Sequence, residues 1–212
     1  MNDRYTYYWY NYFEKEKTVW FQWNQILNDE AKPWNKFADS LFAFIDTHSV
    51  ERFVIDLRNN NGGNGEYVYT LIRKLYRNDK INQKGKLFII TGRKTFSGAG
   101  IAITLLEKHT PAIFAGEPSG TSPNFIGEEF EFELPYSHLA GNVSNMEHKY
   151  ANAVDYRSWI APTIYDNPSF ERFYERRGCR LGRHIGELSF EIIFVIQCFP
   201  LLIVFSKYNC YE

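Results

Sequence analysis

Residues 86–100, KLFIITGRKTFSGAG, decide how this chain folds. Lys86–Thr91 (KLFIIT) is a buried-type apolar run, the composition of a strand covered on both faces. Ala102, Ile103, Leu105 and Leu106 then carry a small-residue helix, so the turn between them is a strand-to-helix connection. Upstream, Arg52–Leu57 reads as a second such strand. It runs into RNNNGGNG (58–65) and then into helical spacing at Val68, Leu71, Ile72, Leu75 and Tyr76. Thr18–Asn24 (TVWFQWN) is a third strand, followed by the apolar stripe Trp34, Phe37, Ala38, Leu41, Phe42 and Ile45 with Pro33 in the first turn. Ala112–Ala115 adds a short strand. Strands alternating with helices in this way predict βαβ crossovers and a helix-covered parallel sheet, an α/β class. From Glu128 the period-2 pattern FEFEL predicts an edge or hairpin strand.

The 212 residues suit one domain, and 44% hydrophobic residues with 18% aromatics can build a core. A formal net charge of −1 lacks the basic excess that phosphate-backbone binding requires, so no nucleic-acid partner is expected. Cys179, Cys198 and Cys210 lie together near the end without C-x-x-C spacing, which predicts neither a disulfide framework nor a metal site. MNDRYTYYWYNYF carries no signal-peptide pattern. Residues 1–17 read as an N-terminal remnant or linker, 18–175 as the core and 176–212 as an atypical tail. There the basic RRGCRLGRH gives way to the apolar Phe190–Phe205. That run is shorter than the roughly 20 residues a membrane span needs and contains Pro200. It is expected to pack poorly, to stay apart from any site, and to favour aggregation or membrane association.

In an open α/β sheet, ligands bind beyond the carboxyl ends of parallel strands, where both glycine-bearing turns are expected. Gly62 and Gly63 can adopt positive φ and leave N–H groups free for an oxyanion. Ser97 stands where a helix N-terminus would favour developing negative charge, with Gly98 beside it, although a serine in this position is most often a simple N-cap. NGGNGE has neither the dinucleotide nor the P-loop glycine pattern, which argues against a phosphate site.

Three segments in order, FVIDLRNNNGGN (53–64), LFIITGRKTFSGAG (87–100) and IFAGEPSGTSPNFIGE (113–128), resemble the carboxyl-terminal processing, or tail-specific, serine peptidases, whose relatives include the catalytic core of tricorn protease. The resemblance spans residues 18–173. It implies the Clp protease and crotonase type of stacked βαβ units, a polypeptide substrate and no cofactor. It matches Ser97 to the nucleophile, and Gly98 with the Gly62–Gly63 turn to the oxyanion hole. At the family's general-base positions stand Ser122, where many members have lysine, and Gln22, where tricorn-like members have histidine. Serine needs a base to take its proton, so these departures weigh against catalysis and favour a peptide-binding homologue as the alternative. A crotonase-like acyl-thioester enzyme is a third reading.

By sequence, Lys94 and His109 are the nearest titratable substitutes. Glu117 and Glu128 are available to orient a base or a substrate amine, while His138 and His148 lie in a strand-rich region without partner spacing. No recognition module of about 90 residues precedes Thr18, so a core without its usual N-terminal parts is expected. A shifted reading frame would account for the change of character after Phe173.

Overall fold

A computed structural model describes residues 6–165. The cysteines, Phe190–Phe205 and the whole of 176–212 lie outside them. Five strands, β2 (Thr18–Trp23), β3 (Arg52–Asp56), β4 (Leu87–Thr91), β5 (Ile113–Gly116) and β8 (Ile164–Tyr165), pair parallel in that order. Helices α1 (Trp34–Thr47), α2 (Glu66–Tyr76) and α3 (Gly98–His109) make the connections between β2, β3, β4 and β5.

The sheet begins ahead of Thr18. Strand β1 (Tyr8–Phe13) pairs antiparallel with β2 from Tyr8↔Trp23 to Phe13↔Thr18. Its tyrosine-rich composition is strand-forming, and Tyr8 is buried, its ring 4.8 Å from Phe37 and 5.2 Å from Trp34. Residues 8–13 are therefore part of the sheet, whereas the sequence reading set 1–17 apart from the core.

Period-2 alternation divides the strand side chains between two apolar layers. Val19, Phe21, Trp23, Phe53, Ile55, Leu87 and Ile89 join the main core with the buried stripes of the helices. Trp20, Val54, Phe88, Ile90, Ala115 and Ile164 form a second cluster on the opposite face. The predicted stripe of α1 is buried at all six positions, and the Asn28 side chain accepts the Trp34 N–H at the helix start. In α2, Val68, Leu71 and Leu75 are buried, but Tyr76, read as part of the stripe, is exposed.

The alternating FEFEL belongs to β6 (Asn124–Glu133), which pairs antiparallel with β7 (Ala140–Lys149) in a separate two-stranded ribbon. The sequence reading left β7 undelimited because GNVSNMEHK has no apolar face to mark it. Among the described residues, no helix is long and apolar enough to cross a membrane.

Candidate active site

β3 and β4 are parallel neighbours, so both glycine-bearing turns leave the same edge of the sheet. They interlock there. A β-carbon placed on Gly62 would lie 2.7 Å from the Gly98 nitrogen and 2.8 Å from Ser97 Cβ, and one on Gly98 would lie 2.6 Å from the Gly63 oxygen. Gly62 (φ 111°) and Gly63 (φ 130°) occupy backbone conformations that side chains disfavour, as the sequence reading expects.

Asn60, which the sequence reading passed over, holds the two turns together. It is fully buried. Its amide nitrogen donates to the Trp23 carbonyl (2.9 Å), its side-chain oxygen accepts the Gly62 N–H (2.9 Å), and its carbonyl accepts the Phe96 N–H (3.1 Å). The middle asparagine of RNNNGG is the available sequence signal, since Asx residues fold back on backbone two residues ahead. Thr95 adds a second tie, its hydroxyl donating to the Leu57 carbonyl (2.8 Å).

Ser97 occupies the N-cap position of α3 at φ 49° and ψ −121°. The Ala99 N–H donates to the Phe96 carbonyl (2.9 Å), closing a tight turn with Ser97 and Gly98 at its centre. These angles are those of the first central residue in a mirror-image type II turn, a place usually held by glycine. A non-glycine residue there carries about 1–3 kcal/mol of strain. The Ser97 hydroxyl makes no capping hydrogen bond, so the simple N-cap reading does not describe it.

Of the three glycines matched to an oxyanion hole, Gly62 already donates its N–H to Asn60. The Gly63 and Gly98 N–H groups donate to no other group among the described residues. Both glycines border a cleft of about 470 Å³ that Ser97 also lines. Its floor and sides come from Asn64, Glu66, Tyr69 and Ile101 near the helices, and from Phe125, Glu128, His148 and Tyr150 on the ribbon side. Burial pushes the Tyr150 hydroxyl above its ordinary pKa, with Tyr69 adding to the shift, so it stays a donor at neutral pH.

The residues at the family's base positions lie elsewhere. Gln22 is buried in β2, its side chain donating to the Asp56 carbonyl (3.3 Å) and accepting from Trp20 Nε1 (3.4 Å). Ser122 donates to the Asn124 carbonyl (2.7 Å). Lys94 is exposed outside the cleft lining, and His109 is exposed at the end of α3. Glu117 pairs with Arg93 (2.8 Å), and His138 pairs with Glu133 at the ribbon tip. Glu128 and His148 do line the cleft, 3.6 Å apart. Among the described residues, no group of three or more His, Cys, Asp or Glu side chains is gathered to hold a metal ion.

No protein-family model and no curated protein matches the sequence. Solved structures do. A Bacteroides fragilis protein described as an S41 protease superposes with a TM-score of 0.55 at 17% identity, over 95% of this chain and 57% of its own. A Parabacteroides merdae protein described as a peptidase gives 0.53 at 13%, over 80% and 60%. Mature CPAF gives 0.51 at 13%, over 70% and 46%. The chain thus spans about half to three fifths of the length of these proteins. At such identities the likeness lies in the backbone: this chain has the α/β fold of those S41-type structures.

Proposed function

We propose that the chain is the catalytic core of a serine-type peptidase of the tail-specific class, with a Clp protease and crotonase type of fold and its core within residues 18–175 extended by β1. One observation carries this reading: Ser97 sits strained at the start of α3 with its hydroxyl making no capping bond, beside two backbone N–H groups without a partner among the described residues, in an open cleft. The helix dipole and the Gly63 and Gly98 N–H groups would stabilise the oxyanion that forms when Ser97 Oγ attacks a scissile carbonyl. Tyr69, Ile101, Phe125 and Tyr150 would receive the flanking side chains of a polypeptide. The three ordered motifs and the shared fold support the same class.

A fluorophosphonate label tests the nucleophile. Covalent incorporation is expected in the parent and absent in Ser97→Ala; equal labelling of the two removes Ser97 from the role. The positions of Gln22 and Ser122, turned into their own hydrogen bonds, favour the second reading of a non-catalytic peptide binder. That reading requires peptide binding without any labelling of the parent.

A further inference from the structure

We infer that His148, with Glu128 positioning it, is the general base for Ser97, supplied by the β6–β7 ribbon and not by the sheet. The inference rests on the Ser97 reading above and fills the role that Gln22 and Ser122 leave open. Among the described residues, His148 is the one imidazole that lines the cleft shared with Ser97 and Gly98.

The ribbon is shaped around this ring. His148 pairs with Phe125 in register and stacks on it at 4.9 Å and 27°, with Tyr150 at 6.0 Å and 13° behind. Its side chain is only 12% exposed. Gly127 makes room, because a β-carbon there would lie 2.9 Å from both Cδ2 and Nε2 of the imidazole. In a regular strand Phe125 and Gly127 share one face and Glu128 points to the other. Glu128 instead has φ 53°, and the ladder passes from Gly127↔Met146 to Glu129↔Ser144 without pairing it. This left-handed residue interrupts the alternation and sets the carboxylate 3.6 Å from His148 Nε2. Strained non-glycine backbone of this kind collects at functional sites. The polar side chains that line the cleft with the imidazole are Glu128 of β6, Tyr150 after β7, Asn64 ahead of α2, Glu66 and Tyr69 of α2 and Ser97 at the start of α3; among the described residues no lysine or arginine lines it.

One imidazole nitrogen accepts the Ser97 hydroxyl proton as the Oγ–C bond forms, while Glu128 stabilises the imidazolium. The proton then passes to the leaving amine nitrogen as the C–N bond breaks. In the second half a water gives its proton to His148 and its oxygen to the acyl carbon, and the proton returns to Oγ as the ester breaks. Ser97 and His148 line one cleft without a hydrogen bond between them, and general-base contacts of this kind often tighten only once substrate is bound.

The test is the rate of fluorophosphonate labelling in His148→Gln, His148→Ala and Glu128→Gln, each checked for a parent-like thermal transition. His148→Gln should label about 10²- to 10⁴-fold more slowly. It should also lose the rise of rate with pH expected of the parent. Free imidazole should restore labelling to His148→Ala, which a merely structural role would not allow. Glu128→Gln, at an exposed carboxylate, should slow labelling less and alter the pH profile. If the His148 variants do not fold, a parent-like rate and profile in Glu128→Gln overturns the assignment. Labelling of His148→Gln at the parent's rate, with Ser97→Ala silent, overturns the His148 role and leaves Ser97 standing. A parent that does not label overturns both.

Discussion

At the scale of single residues, Ser97 as the proposed nucleophile would couple activity to strain. Replacing it with alanine removes the hydroxyl and keeps the strain of a positive φ, whereas glycine removes both. Ser97→Gly should therefore be unlabelled yet more stable than Ser97→Ala by about 1 kcal/mol, read from their thermal transitions. Asn60→Ala should lower stability by about 2–4 kcal/mol, because the Trp23 carbonyl and the Gly62 N–H lose their buried partner. It should also slow labelling, since the same side chain fixes both turns. The Gly62–Gly63 turn was legible as a candidate from local turn chemistry, whereas Ser97, by chemistry alone a simple cap, stood out with Gly98 only through the three ordered motifs. His148 was not legible: it meets Glu128 through strand pairing across twenty residues and one positive φ, which no spacing rule encodes.

At the scale of elements, hydrophobic period located β2 to β5 and all three helices, since each buries a continuous stripe or an entire strand. β7 escaped because a ribbon exposed on both faces needs no apolar face, and β1 because tyrosines mark neither a core run nor a linker. The segment after β7 is clipped to α3 by Arg157, which donates to both Glu107 oxygens (2.9 and 2.7 Å) and to Asp155. Arg157 holds the Asp155 carboxyl below its ordinary pKa through these hydrogen bonds. A carboxylate with a lowered folded-state pKa stabilises the fold above its unfolded value near pH 4 and stops doing so as pH falls through the lowered one. Arg157→Gln should therefore flatten the acid limb of a stability–pH curve while changing neutral stability by less than about 1 kcal/mol, since the group is solvent-screened.

At the scale of the whole molecule, β1 closes the sheet on the side of β2 and inserts Tyr8 among Trp34 and Phe37. Deleting residues 1–17 should uncover the β2 edge and abolish the cooperative thermal transition; an unchanged midpoint would show β1 to be dispensable. The glycine turns have a different standing from the ribbon. Gly62 and Gly98 fit against the facing turn, and Gly63 against Ile26, with no space for a methyl group, and the same contacts that shape the cleft seat the β3 and β4 connections. The turn that holds residue 97 is thus built into the fold, whereas a serine in it is not, since glycine there would be less strained. The ribbon carries no such obligation. Revising that one hairpin would exchange the ring and the carboxylate that border the cleft while the sheet beneath stays as it is.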